Sequence, residues 1–161
     1  MAGFEAILEF IQVLSLAVII VGTIILGALV APTLFKQLSK IEAGMAMTEL
    51  FERFSQWLEI SALSLFLARA IDFVFVRNMS FATDSIYYKQ TFLKANFDTS
   101  YLLSLILIIS ILIISLYISL DLTPKLMNAY QDDDKEFETL HKKSEKLYRI
   151  NALIALLALI I

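Results

Sequence analysis

The chain has 161 residues, 59% hydrophobic and 18% charged, with a mean hydropathy of +0.77, whereas soluble domains are about half apolar and about a quarter charged. The absence of cysteine excludes disulfides, thiolate metal sites and a cysteine nucleophile, and one histidine, His141, cannot supply a two-histidine zinc helix or bis-histidine haem ligation. Four glycines cannot build a dinucleotide fingerprint or a phosphate loop, and a net charge of -3 argues against a nucleic-acid partner.

From Phe10 to Phe35 the chain runs twenty-six residues without a charge. A bilayer core of about 30 Å takes about 20 helical residues, so a first membrane span is expected over about 10–35. Glu5 and Glu9 precede it without any Lys or Arg, and the apolar stretch is too long for a signal peptide. Ser39-Lys40-Ile41-Glu42 fits a capping box. It opens an amphipathic helix with Leu38, Ile41, Met45, Phe51, Phe54 and Leu58 near helical spacing and a bend expected at Gly44. Met45 and Met47 stand two apart and do not share a helical face, which argues against copper. The next apolar stretch holds Glu59, Arg69 and Asp72 and predicts a second span over about 56–77.

Thr99 to Leu120 is uncharged for twenty-two residues and predicts a third span over about 99–121. Thr123-Pro124 reads as an N-cap and first-turn pair starting a short helix through Lys125, Leu126 and Met127. Asp132, Asp133 and Asp134, with Glu136, supply the acidic start of a final helix, a solvated cap rather than a divalent-cation site. That helix runs to Ile161, about 42 Å at the usual rise. Its span, about 142–161, requires Lys146 and Arg149 to snorkel to the headgroups.

Four spans put both termini on one side. The first and third loops carry nine basic residues (Lys36, Lys40, Arg53, Lys125, Lys135, Lys142, Lys143, Lys146, Arg149) against three elsewhere outside the spans (Arg77, Lys89, Lys94). The basic loops, 36–55 and 122–141, are therefore expected in the cytoplasm and both termini outside. There is also an internal echo: Pro32-Thr33-Leu34-Phe35-Lys36 leaves span one as Pro124-Lys125-Leu126-Met127-Asn128 leaves span three, and Phe51-Glu52-Arg53-Phe54 is answered by Phe137-Glu138-Thr139-Leu140. A duplication with both copies on one membrane side would be a parallel repeat.

The stretches APTLFKQLSKIEAG and FERF, then LTPKLMNAY and FETLHKKS followed by Asn151, resemble the membrane family of transmembrane protein 205, also catalogued as domain of unknown function 4149. The resemblance implies four helices and no established activity, and it marks Pro32, Phe35, Gly44, Pro124, Leu140, His141 and Ser144. A looser likeness runs to four-helix copper-resistance and haem-associated membrane proteins. With no histidine in the first three spans, their chemistry does not carry over.

Arg69 and Asp72 are three apart and can pair on one helical face. They serve either a solute crevice in the outer third of the membrane or helix packing and snorkelling. Glu59, near the cytoplasmic face, reads as a solvated carboxylate. On the last helix His141, Ser144, Tyr148, Asn151, Ala155 and Ala158 share a stripe, which with Thr23, Gly27 and Ala31 on span one, and Ser100, Ser104, Ser115 and Ser119 on span three, reads as packing surface. Pro32 and Pro124 are grouped with these packing positions. His141 sits at the cytoplasmic mouth, either proton- or ligand-responsive or hydrogen-bonded to first-loop backbone. Ser144 lies one turn away with no oxyanion hole, so no hydrolytic or other catalytic set is expected.

The expectation is an all-α integral membrane four-helix bundle, one domain over 1–161, with amphipathic helical extensions on the cytoplasmic side. Its expected role is non-enzymatic handling or transport of a small solute or ion, with no cofactor and no metal. The alternative is a structural or assembly subunit. The partners expected are the lipid bilayer, a second copy or another membrane protein.

Overall fold

The computed structural model describes residues 2–77, 99–132 and 134–161. The expected second loop, with Lys89 and Lys94, and the middle of the acidic triplet, Asp133, lie outside the described residues. The side chains of Lys40, Ile41, Arg77, Ser100, Asp132 and Asp134 are also outside the description. Among the described residues the fold is all-helical.

The first helical rod is continuous: α1 (Ala2–Ile24), a π-helical turn π1 (Ile25–Val30) and α2 (Ala31–Gln37). Pro32 explains the wide turn. Proline lacks the amide proton and its ring clashes with the carbonyl four residues back. One extra residue per turn relieves the clash, and Ala31 N–H donates to Leu26 O, five back. The rod stops where Leu38 turns extended, at φ -113° and ψ 159°.

Ser39 then forms the expected capping box: Glu42 N–H donates to Ser39 Oγ at 3.3 Å, and Ser39 N–H donates to Glu42 Oε2 at 3.1 Å. The Ser39 hydroxyl, which donates to Glu42 Oε2 at 2.7 Å, and then the Ser39 N–H hold the Glu42 carboxyl below its ordinary range. The box launches α3 (Lys40–Ile71), about 48 Å long at the usual rise, which continues into a second π turn, π2 (Asp72–Arg77). The helix runs through Gly44 without interruption. Gly44 is buried inside the regular helix, and Thr48 Oγ1 donates to its carbonyl at 2.9 Å. The inward register agrees with the expected one at Leu58, which is buried, and at Phe51 and Phe54, which pack on the core, but differs at the start of the helix: Leu38 and Met45 are exposed, while Ala43 and Met47 are buried. Small side chains at 43 and 44 let the start of α3 pack closely, which turns the bulkier Met45 outward.

The second half repeats this order. α4 (Thr99–Tyr117), π3 (Ile118–Leu122) and α5 (Thr123–Asp132) form one rod, and α6 (Asp134–Ile160) follows. Thr123 is therefore not the N-cap its sequence context suggested. It is helical, at φ -63° and ψ -47°, and both its N–H and its Oγ1 donate to Ile118 O, five residues back. Pro124 sits in mid-rod, tolerated by a wide turn as Pro32 is.

The long helices pack in a closed ring of neighbours: α1 on α3, α3 on α4, α4 on α6, and α6 on α1. The core collects residues three, four or seven apart on each: Leu16 and Ile19; Leu58, Ala62 and Leu65; Ile108, Ile111 and Ile118; Tyr148 and Ala155. The outward faces are apolar as well, with Phe10, Val13, Trp57, Ile106, Ile113 and Leu153 all more than half exposed. Two helical stretches, Gly3–Gln37 and Leu102–Ala129, are long and apolar enough to cross a membrane.

Candidate functional site

Serines on α4 and π3 meet the polar groups of α3 and α6. Arg69 and Asp72 pair at 3.8 Å, each side chain about one fifth exposed (19% and 21%), and Arg69 Nη2 donates to Ser104 Oγ at 3.1 Å. Nearer the other end of α3, Ser119 Oγ donates to Glu59 Oε2 at 2.7 Å. Glu59 is thus bonded across the helix interface rather than simply solvated. Between these levels Asn151 Nδ2 donates to Ser115 Oγ at 3.0 Å, with both residues fully buried. Asn151 Oδ1 is buried without a hydrogen-bond partner. Glu59, Arg69, Asp72 and Asn151 do not converge on one point. Glu59 and Arg69 alone are about 15 Å apart along α3, and a different serine of the α4–π3 rod meets each level. Cross-helix bonds of this kind fix the rotation of each helix against its neighbour.

At the mouth, His141 lies between two rings, those of Phe51 and Phe137, with centroids 5.8 Å from its own in both cases. Its Nδ1 is buried and makes no hydrogen bond, so what it meets from the first half is an aromatic ring. Burial lowers the His141 pKa, opposed in part by the charge of Glu145. Ser144 Oγ donates to the His141 carbonyl at 2.8 Å, a bond within the helix that leaves no serine–imidazole contact.

The small-residue face of the first rod departs from its expected packing role. Thr23 Oγ1 bonds back to Ile19 O at 2.7 Å, Ala31 is half-buried, and Pro32 and Pro124 are exposed. Both prolines act on the backbone rather than through side-chain contact. At Gly27 a Cβ would meet nothing within 4 Å. Close approach occurs instead at Gly22, where a Cβ would fall 2.8 Å from Phe54 Cζ and nearer still to Cε2.

Gly27 is bare because it walls a groove of about 560 Å³ between α1 and α6. Ile20, Thr23, Ile24, Leu26, Gly27 and Ala28 form one side, and Ala152, Leu153 and Leu156 the other. Phe51, Phe54 and Tyr148 close its back, Tyr148 stacked on Phe51 at 5.3 Å and tilted against Phe54 at 5.6 Å. Its charged lining is Glu145 and Arg149, which pair with each other. The lining is otherwise mostly apolar. The sequence reading missed this groove, although Gly27 beside Ala28 on one helix, and two phenylalanines three apart on another, were its signals.

Among the described residues no group of three or more His, Asp or Glu side chains is placed to hold a metal. Fold and site define an all-helical protein with two bilayer-length apolar stretches and a lateral groove. The chain belongs to the family described as a domain of unknown function, DUF4149, whose profile matches residues 14–135. The match takes in the α1 and α3 walls of the groove and ends before its α6 wall. No curated protein and no solved structure is significantly similar to the chain.

Proposed function

We propose that the chain is a four-span integral membrane protein with both termini outside. It handles a small amphiphilic solute, without catalysis, in the groove between α1 and α6. The groove carries the reading. Its volume lies in the range of small-molecule sites, about 300–1,000 Å³. Its lining is apolar along its length except for one ion pair, Glu145 with Arg149, at the N-terminal end of the α6 wall. An apolar body with a polar head fits that distribution. Arg69 and Asp72 lie about 25 Å away along α3 and serve helix packing in this reading.

Membrane embedding is supported by how little of the apolar surface the protein itself covers. Only 22% and 28% of the most hydrophobic windows of the two bilayer-length stretches are buried. Trp57, Ile60 and Leu67 on α3, and Leu153, Leu157 and Ile160 on α6, extend the exposed apolar surface to the other two proposed spans. A charged pair inside α3 is compatible with hydrocarbon because its members meet each other and a serine.

With no native cysteine, single substitutions report topology directly. An impermeant maleimide added to intact cells should label Gly3→Cys and Ile161→Cys and spare Gln37→Cys. Labelling of one terminus alone refutes four spans. A photoreactive hexadecyl diazirine in phosphatidylcholine liposomes should label peptides covering 20–28 and 145–156 above other outward-facing segments, and Gly27→Leu should remove the excess. Uniform labelling refutes the groove reading. Gly27 and Ala28 lying bare also suit a second reading, a subunit whose partner helix packs there. Under that reading Gly27→Leu releases a co-purifying protein.

A further inference from the structure

We propose that the groove holds one hydrocarbon chain whose anionic head, a carboxylate or phosphate monoester, sits on the Arg149 guanidinium. The inference rests on the groove reading above and names its ligand class.

The shape argues for a single chain. The α1 wall from Ile20 to Ala28 is about 12 Å long, and the α6 wall from Glu145 to Leu156 about 16 Å. Between them the floor is Gly27 and Ala28, which project at most a methyl group. The rings of Phe51, Phe54 and Tyr148 make a flat back wall. Ile24, Leu153 and Leu156 at the side are exposed, so a chain enters laterally from the apolar surface without crossing a polar barrier.

The charge at the mouth argues for an anionic head. Residues 142–149 of α6 carry Lys142, Lys143, Lys146 and Arg149 against one acid, Glu145. Lys142 is engaged by Glu138 at 2.7 Å and Lys143 by the Tyr117 hydroxyl at 2.6 Å. Lys146, exposed on the same helix between Glu145 and Arg149, adds a further positive charge to this stretch of α6. From α3, Glu49 and Arg53 neutralise each other at 2.7 Å, and Glu145 is the single carboxylate among the lining residues. Arg149 donates through Nη2 to Glu145, and its side chain remains 72% exposed. A guanidinium has five donors in a fixed fork, so one bond to Glu145 leaves the geometry that carboxylate and phosphate oxygens match. The ion pair thus holds the guanidinium at the N-terminal end of the α6 wall and still presents donors to a head group.

Four single-chain probes separate the possibilities: hexadecanoate, hexadecyl phosphate, hexadecanol and hexadecyltrimethylammonium, each titrated against the detergent-solubilised full chain by competition with the hexadecyl diazirine. The two anionic probes should compete about tenfold better than the alcohol, the size of one charge-assisted hydrogen bond. Arg149→Gln should erase that preference while leaving the alcohol unchanged, and Arg149→Lys should retain part of it. Equal competition by acid and alcohol overturns the head-group assignment and leaves the groove standing. Superior competition by the trimethylammonium probe also overturns it and assigns recognition to Glu145 and the aromatic wall. If neither Gly27→Leu nor Ala28→Leu alters competition by any probe, the groove reading itself is overturned.

Discussion

Gly22→Ala isolates a close helix–helix contact. The new methyl carbon would lie 2.8 Å from Phe54 Cζ and 3.4 Å from Cδ2, with Cε2 nearer still. Separations under about 3.5 Å between carbons are repulsive. The ring cannot retreat inward, because Tyr148 stands 5.6 Å from its centroid and is itself stacked on Phe51 at 5.3 Å. Overpacking of this kind costs about 1–3 kcal/mol, and the remaining escape is for Phe54 to swing into the groove it lines. Reversible unfolding in mixed micelles should show Gly22→Ala destabilised by that amount. Phe54→Leu removes the clashing atoms, so the double variant should recover most of the penalty, giving a coupling of about 1–3 kcal/mol. Diazirine labelling of 20–28 should also fall in Gly22→Ala. A variant as stable as the parent, or a penalty that persists with Phe54→Leu, would refute the argument that Gly22 exists to seat this ring.

Asp72→Asn removes the charge facing Arg69 and should destabilise by about 1–3 kcal/mol while leaving diazirine labelling unchanged; lost labelling would place the pair in the solute site. The Asn151–Ser115 hydrogen bond should show a coupling near 0.6 and below about 1.7 kcal/mol in an alanine double-mutant cycle, as for other hydrogen bonds between membrane helices. For His141, burial favours the neutral ring, so the unfolded chain takes up a proton at a higher pH than the folded one. The stability tied to this group is full above about pH 6.5 and is lost as pH falls from there towards the lowered folded value. His141→Phe should flatten that limb of the stability profile, which chemical unfolding between pH 4.5 and 8 will reveal, on the order of the imidazole titration range.

The parts legible in the sequence were those governed by local or periodic rules. Ser39 and Glu42 met because a capping box needs only four residues. The α6 stripe of Ser144, Tyr148, Asn151 and Ala155 is buried as its 100° spacing requires. Arg69 found Asp72 because neighbours three apart on a helix need no knowledge of the rest of the fold. What failed depended on the partner helix. Glu59 is a solvated carboxylate by its depth alone, and only the rotation of α4 brings Ser119 to it. Gly22 and Gly27 are alike in sequence, five apart on an apolar helix. One faces a phenylalanine and the other faces open space, a difference set by where α3 crosses α1. Pro124 looked like a helix start because the commonest use of a helical proline is at a first turn. The π turns that accommodate both prolines in mid-rod leave no mark in composition.

Those two prolines also give the groove an internal control. Pro124 stands 92 residues after Pro32, and each follows a π turn in which the preceding residue donates to the carbonyl five back. Phe137 stands 86 residues after Phe51 in the helix that follows. Under these offsets Gly27 corresponds to Ser119 and Glu145 to Glu59. The α1–α6 groove and the α3–α4 interface then occupy the same place in the two halves of the ring. In the second, Ser119 reaches Glu59 at 2.7 Å; in the first, a glycine leaves that space empty and Glu145 turns to Arg149. Gly27→Ser should copy the filled interface into the open one. Its side chain has room, since nothing lies within 4 Å of a Cβ there, and Glu145 must turn from Arg149 to reach the hydroxyl; a hydrogen bond to a carboxylate contributes about 1.5–3 kcal/mol. The variant should be at least as stable as the parent and lose excess diazirine labelling, and Gly27→Ser with Glu145→Ala should give up the added stability. Undiminished labelling in a folded Gly27→Ser protein would mean that the missing side chain at position 27 is not what keeps the groove open, and the correspondence between the two interfaces would fail with it.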